Sequence, residues 1–312
     1  MRIVRGLLIA VVLLCVGLIG FDYLLPEQSA RFAIEMEQHR SGLHEARASI
    51  PGFDISYLEG GTGEPLLLIH GFGADKNNFT RVARFLTPQY RVVIPDVPGF
   101  GDSSKPENAT YSIAEQVERL RTFARGLGLQ RVHLGGSSMG GWISMAWAAK
   151  YPDEVASLWL LDAAGTKIGF DSELSRHYQE TGEILLVAKT PEEFERIAGF
   201  VMSKPPFLPY SIRHVLAARA VADYPLHRRI FEAFTREPPI DLEGVTLKVP
   251  ALIVWGDEDR ALNGKAVDAQ KALIPGAEVV HMAGIGHLPM IEACPQSAKD
   301  YLAFRGKLVA TR

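Results

Sequence analysis

The chain has 312 residues, 47% of them hydrophobic and 22% charged, a balance that excludes disordered, collagen-like and low-complexity classes. Its 33 basic and 36 acidic side chains leave a formal charge of -3 with no long basic run, so the field is too weak to hold a polyphosphate and no nucleic-acid partner is expected. The two cysteines, Cys15 and Cys294, exclude a disulfide framework and a Cys-rich metal site.

The first predicted element is a membrane segment. Gly6 to Phe21 carry no charge and cover about 24 Å as a helix, or about 30 Å if the run extends to Leu25 with Asp22 and Tyr23 at the interface. Arg2 and Arg5 precede it, as they would in a cleaved signal peptide or a retained anchor, but no small-x-small cleavage site follows. Bulky Leu14 before Cys15 argues against lipoprotein processing. We therefore expect a signal-anchor over 1–25, with a cleaved signal or a buried core helix as the other readings. The basic flank points to a cytoplasmic N-terminus and a catalytic domain on the non-cytoplasmic side, although Arg31 and Arg40 reduce the asymmetry.

Residues 26–50, with Phe32, Met36 and Leu43 at loosely helical spacing, read as a connector. From 51 to the C-terminus the texture changes to short apolar runs bounded by Gly and Pro: Phe53 to Leu58, Leu66 to Ile69, Val92 to Ile94, Val132 to Leu134, Leu158 to Leu161, Ala251 to Trp255 and Val279 to Met282. Runs that are continuous rather than alternating suit strands buried on both faces, and helical segments separate most of them, so the expectation is a mostly parallel α/β sheet. Ser112 and Glu115 form a capping box ahead of Val117, Leu120 and Phe123. About 90 residues separate Leu161 from Ala251, far beyond an ordinary α/β connection. Helical runs at Ser172 to Val187, Pro191 to Met202 and Ile212 to Phe234 make this insertion a helical cap, over about 165–245.

The chemistry starts at Gly136-Ser137-Ser138-Met139-Gly140, a G-x-S-x-G between a strand and a helix-compatible stretch. Such a turn holds its middle residue in a strained conformation that presents the hydroxyl above the sheet, which makes Ser138 the candidate nucleophile rather than an incidental turn serine. An alcohol needs a base near neutral pH. His287, in Gly284-Ile285-Gly286-His287-Leu288-Pro289 after the last predicted strand, is preferred over His281, which lies within that strand; His281 and His133 read better as buried structural histidines. The base needs an acid to fix its tautomer. Trp255-Gly256-Asp257-Glu258-Asp259-Arg260 supplies Asp259, two residues beyond the exit turn, with Asp257 as a turn-former and Asp162 as an outlying alternative. The expected oxyanion donors are the backbone N–H groups of Met139, after the nucleophile, and Phe72, in His70-Gly71-Phe72-Gly73, with His70 supporting that loop.

With these pieces in place the chain resembles the α/β-hydrolase superfamily from about Phe53 to the C-terminus, in which the triad follows in the order Ser138, Asp259, His287. Within it the chain is similar to membrane-anchored monoacylglycerol lipases and related bacterial lipases and esterases. The likeness rests on the N-terminal segment, His70-Gly71-Phe72 running to Ala74-Asp75-Lys76, Asp96-Val97-Pro98-Gly99-Phe100-Gly101, Ser138-Met139-Gly140-Gly141 and Gly286-His287-Leu288-Pro289. Ser137 departs from the Asn or Thr expected in close relatives.

The resemblance implies an acyl-enzyme hydrolase of lipid carboxylic esters, with an acylglycerol or other lipid ester and the membrane as partners and no cofactor or metal. Oligomeric state is left open. Apolar cap residues Phe170, Leu174, Leu185, Leu186, Phe200, Met202, Phe207, Leu208, Val215 and Leu216 are candidates for an acyl wall, or simply join cap to core. Two alternatives stay open. A carbon–carbon bond hydrolase uses the same triad, although this chain has Gly73-Ala74-Asp75-Lys76 where a Gly-Pro-Gly-type loop is expected; a non-catalytic binding protein would be marked by loss of a triad member.

Overall fold

The computed structural model describes residues 2–240 and 245–310. Its strands are β1 (Leu43–Ile50), β2 (Phe53–Gly60), β3 (Glu64–Ile69), β4 (Tyr90–Pro95), β5 (Val132–Ser137), β6 (Val155–Leu161), β7 (Ala251–Gly256) and β8 (Glu278–Met282). They form an eight-stranded sheet in the order β1-β2-β4-β3-β5-β6-β7-β8. From β4 onward neighbouring strands are parallel; β1 with β2 and β2 with β4 are antiparallel. Every strand expected from the sequence is present, in a doubly covered α/β-hydrolase sheet.

Burial on both faces explains the unbroken apolar runs. In β3, Leu67 and Ile69 join an apolar layer with α4 (Ile113–Gly126), α5 (Met139–Lys150) and α9 (Ala266–Leu273), while Leu66 and Leu68 join a second layer on the opposite face with α3 (Thr80–Ala83), α10 (Pro289–Glu292) and α11 (Cys294–Ala310). The two-residue period of a strand thus sends alternate side chains into different cores. The start of α4 is set as expected, with the Ser112 hydroxyl accepting from the Glu115 N–H at 3.2 Å.

The stretch read as a connector is not one. It holds α2 (Pro26–Arg40), which lies against the cap, and β1, which extends the sheet before the boundary expected at 51. β1 escaped the sequence reading because it is an edge strand, LHEARASI, with charged and half-exposed positions and no apolar run. A signal was there: Pro51-Gly52 turns β1 into β2, with Ile50 opposite Phe53.

The insertion between β6 and β7 contains α6 (Glu173–Thr181), α7 (Pro191–Val201) and α8 (Tyr210–Phe234). The expected end of the cap near 245 adjoins 241–244, which lie outside the described residues, as do Met1 and 311–312. Leu174, Phe200 and Val201 close a small apolar core of the cap with Ala261 from the main domain. Preceding everything, α1 (Arg2–Leu24) exposes its apolar side chains from Ile3 to Ile19. Its last turn touches the cap: the Asp22 carboxylate accepts from the backbone N–H of Tyr210 at 3.1 Å and of Ser211 at 3.3 Å, and Tyr23 stacks on Tyr210 with centroids 4.6 Å apart.

Candidate active site

Between the end of β5 and the start of α5 a single residue, Ser138, reverses the chain, with φ 52 and ψ -118. A non-glycine residue in this region is strained by roughly 1–3 kcal/mol, and the neighbouring backbone holds it there. The Ser138 N–H donates to the Leu161 carbonyl at 3.0 Å, and the Ser138 carbonyl accepts from Gly141, Trp142 and Ala164. Gly140 is required by close approach, since a Cβ there would collide with the Ile69 carbonyl. The side chain of Ser138 is half-buried and faces Gly71, where an added Cβ would stand 3.2 Å from the serine Cβ and 3.9 Å from its Oγ. The Ser138 turn and the expected oxyanion loop are therefore adjacent. Ser137 is fully buried.

The two other candidates meet directly. His287 Nδ1 lies 2.7 Å from Asp259 Oδ2, and the two side chains are 5% and 1% exposed. Asp259 Oδ1 is fixed by the N–H groups of Ala261 at 2.8 Å and Leu262 at 3.1 Å, so the acid presents one oxygen to the imidazole and uses the other to hold its own loop. The His287 N–H donates to the Val201 carbonyl at the end of α7, and Glu292 accepts from the N–H groups of Gly286, Ser203 and Lys204. The cap thus pins the histidine loop. Asp257 pairs instead with His281 at 3.1 Å, both exposed, so the expectation of a buried His281 does not hold. Strand alternation turns that side chain to solvent. His133 is buried as expected, against the Ser157 hydroxyl at 2.8 Å.

Asp162 sits closer to this pair than its place in the chain suggested. It caps β6 at φ 42, is fully buried, and accepts from the Gly256 N–H at 2.9 Å. One ligand atom each of Asp162, Asp259 and His287 lie within 4.8 Å of one another, a set able to surround a cation, although His287 Nδ1 is already engaged by Asp259. Burial first, and the charge of Asp259 second, hold the Asp162 carboxyl well above the usual carboxylate range.

The expected oxyanion loop is braced from below and from above. His70 is fully buried beneath it; the Val97 N–H donates to Nε2 at 2.9 Å, which leaves Nδ1 protonated to donate to the Gly71 carbonyl at 2.8 Å. Burial lowers its pKa from 6.5 to about 4, so it is a neutral strut. Above, the Phe72 ring meets Phe100, His227, Phe231 and Phe234 with centroids 5.5–6.1 Å apart. As the first residue of α5, Met139 has no intrahelical acceptor for its N–H, the usual state of a helix start.

Beyond Phe72 the loop ends in an ion network that the sequence identified only as part of a resemblance. The Lys76 ammonium, 1% exposed, reaches Asp96 at 2.8 Å and Asp102 at 2.6 Å, and Arg219 of α8 reaches Asp75 at 3.0 Å and Asp102 at 2.7 Å. The carboxylates raise the Lys76 pKa against the pull of its own burial. Such burial is tolerable only because every charge has partners. His227, Phe231 and Phe234 were also missed as site residues, though their spacing along α8 already placed them on one helix face.

The cap is less uniformly apolar than the sequence implied. A cleft of about 440 Å³ within it is lined by Ile184, Leu185, Val187 and Phe200 together with Lys189, Arg196, Arg228 and Arg260. Phe207, a candidate for the acyl wall, is 87% exposed on the outside, whereas Leu174 and Phe200 turn inward.

Residues 64–178 match the alpha/beta hydrolase fold family. The chain is 41% identical over 286 residues to Lipase 1 of Psychrobacter immobilis, covering 89% of each protein, and 28% identical over 265 residues to monoacylglycerol lipase abhd6-A of Xenopus laevis, covering 80% of this chain and 78% of that one. Among solved structures, a membrane phospholipase A described as a bacterial virulence factor superposes with a TM-score of 0.88 at 41% identity, covering 98% of this chain and 99% of that chain. The chain belongs to the α/β-hydrolase fold family. It is a carboxylic ester hydrolase.

The bracing histidine gives a pH prediction. In the unfolded chain His70 takes a proton near 6.5, but in the fold only near 4, so its contribution to stability is complete above 6.5 and is lost as pH falls through that window. His70→Asn should cost about 1–3 kcal/mol at neutral pH by disturbing the bonds to Val97 and Gly71. Its Tm should nevertheless fall less than that of the native protein between pH 6.5 and about 4. Parallel losses in the two proteins would mean that the ring is not held neutral.

Proposed function

We propose that the chain hydrolyses monoacyl lipid esters at a membrane surface through an acyl-enzyme on Ser138, with His287 as general base, Asp259 behind it, and the N–H groups of Met139 and Phe72 as oxyanion donors. One observation carries this reading: the buried 2.7 Å pair of His287 and Asp259 stands on loops leaving β8 and β7, while Ser138 occupies the strained turn leaving β5. With Nδ1–H donating to Asp259, the Nε2 lone pair takes the serine proton as Oγ attacks the ester carbonyl. The carbonyl electrons become an oxyanion, and each donor aimed at it is worth about 2.7–4 kcal/mol. Collapse expels the alcohol, which takes the proton from Nε2. Water then repeats the sequence and releases the acid.

Two features support the substrate class. The relatives include proteins named lipases and monoacylglycerol lipases, and the cap encloses an apolar cluster. Triacylglycerols with three long chains need a wider cleft. For attachment, Ile3–Leu24 is long and apolar enough to cross a membrane, about 33 Å at 1.5 Å per residue. The contacts of Asp22 and Tyr23 with the start of α8 favour retention, because a leader destined for removal gains nothing by docking on the folded cap. We read α1 as a single anchor, with the catalytic domain on the non-cytoplasmic side.

Ser138→Ala should lower kcat by about 10⁴–10⁶ without loss of fold. Asp259→Asn should cost about 10⁴ by leaving the imidazole in the wrong tautomer, whereas Asp257→Asn, whose partner is His281, should stay near the native rate. Persistent ester turnover by Ser138→Ala overturns the mechanism. A medium-chain monoacylglycerol should have a higher kcat/KM than a vinylogous 1,5-diketone; the reverse order would assign the site to carbon–carbon bond cleavage.

Full-length protein should stay with membranes through an alkaline wash, while a chain lacking residues through Leu25 should be released and still cleave a short ester. A mature N-terminus near Gln28 would instead identify a cleaved signal.

A further inference from the structure

We propose that Asp162 is a positioning residue for this acylation site: at neutral pH it holds a proton and donates it to the Asp259 carboxylate, so that His287 is backed by an acid–carboxylate pair carrying one negative charge. The proposal rests on the reading of Asp259 as the partner of His287. It goes beyond that reading by giving a role and a protonation state to a residue that the three-member mechanism leaves idle.

The geometry around Asp162 is that of a side chain held in place deliberately. Among the described residues only Ser138 and Asp162 are non-glycine residues at positive φ, and both lie at strand ends that bond to each other's segment: the Ser138 N–H donates to Leu161 and its carbonyl accepts from Ala164. The strained turn at Asp162 directs its carboxyl into the fully buried space behind the catalytic pair. There Oδ1 accepts from the Gly256 N–H, while Oδ2 is buried with no N–H or O–H partner. A buried carboxylate oxygen left in this way costs free energy that a proton removes.

The proton's place follows from counting donors. The titratable groups facing Asp162 are Asp259, His287 and, further off, Glu292, and two carboxylates so close and so buried cannot both ionise. Asp259 receives three N–H donors, from Ala261, Leu262 and His287, whereas Asp162 receives one, from Gly256. Hydrogen bonds to the charged form favour it, so the charge settles on Asp259 and the proton on Asp162. The Asp162 O–H then faces Asp259 as a donor. The upward displacement of the Asp162 carboxyl agrees with this assignment.

The consequence for chemistry is a restrained acid. A donor on its outer side limits rotation of Asp259 and draws off part of its charge. An ionised Asp162 would instead place a second negative charge behind the catalytic pair.

The test uses full-length protein, two variants and two readouts. Asp162→Asn keeps a neutral donor and tolerates positive φ; it should retain kcat within about threefold of native and leave the acidic limb of the kcat/KM profile where it is. Asp162→Gly also tolerates the backbone but has no donor. It should lose kcat by about tenfold or more at nearly constant KM, and its acidic limb should move to higher pH as Asp259 becomes a stronger partner for the imidazolium. Independently of activity, infrared spectra at neutral pH should contain the C=O stretch of a protonated buried carboxyl, sensitive to deuteration and missing from Asp162→Asn. Absence of that band in the native protein overturns the proposal, as does a folded Asp162→Asn as impaired as Asp162→Gly, or an Asp162→Gly with native rate and native limb. Failure of the triad reading would register separately, as full turnover by Asp259→Asn with the Asp162 band still present.

Discussion

A single left-handed residue at the end of a central strand sets the position of everything else in the site. Because β5 becomes α5 without a loop, Ser138 is displaced from both elements, and the strain of its backbone is offset by bonds to the ends of the adjoining strand. The turn is so tight that Gly140 touches the exit of β3 at Ile69, while Ser138 itself is bonded to Leu161 and Ala164 around the exit of β6. Hence the loop after β3 and the Asp162 turn after β6 are built against Ser138 rather than merely near it. The loops after β7 and β8 complete the arrangement with Asp259 and His287. All five strand exits open on the same side, the ordinary location of a ligand site in a parallel sheet.

The cap is joined to those loops by polar contacts as well as by the aromatic rings of α8 around Phe72. Arg219 ties α8 to Asp75 and Asp102, Lys105 pairs with Asp223, Arg260 beside Asp259 pairs with Glu173 of α6, and the Val201 carbonyl receives the His287 N–H. Directional bonds of this sort specify one seating of the cap over the oxyanion and histidine loops. The last turn of α1 then meets the same α8 through Asp22 and Tyr23, so α1, the cap and the loop after β3 are connected in one chain of contacts.

The fold was legible where burial on both faces leaves a strand no polar positions, as in Leu66 to Ile69 and Ala251 to Trp255. It was illegible at β1, whose exposed edge carries Glu45 and Arg47 where a core strand would carry apolar residues. The site followed the same division. The candidates Ser138, Asp259 and His287 were expected because each stands in a glycine-marked strand exit, a local pattern. The Lys76 network and the Asp162 carboxyl depend on residues far apart in sequence, Asp102 and Arg219 in one case and Gly256 and Asp259 in the other, and no local spacing encodes them. His281 illustrates the converse error: an apolar strand context suggested burial, but its register turns it toward Asp257 and solvent.

The central claim is that Ser138, and no other hydroxyl, becomes acylated. It is tested most directly by treating the full-length protein with a fluorophosphonate and sequencing the modified peptide by mass spectrometry. The account predicts one adduct per chain on Ser138, formed in step with loss of ester turnover. An adduct confined to Ser137 or another residue, or complete inactivation with Ser138 unmodified, would contradict it.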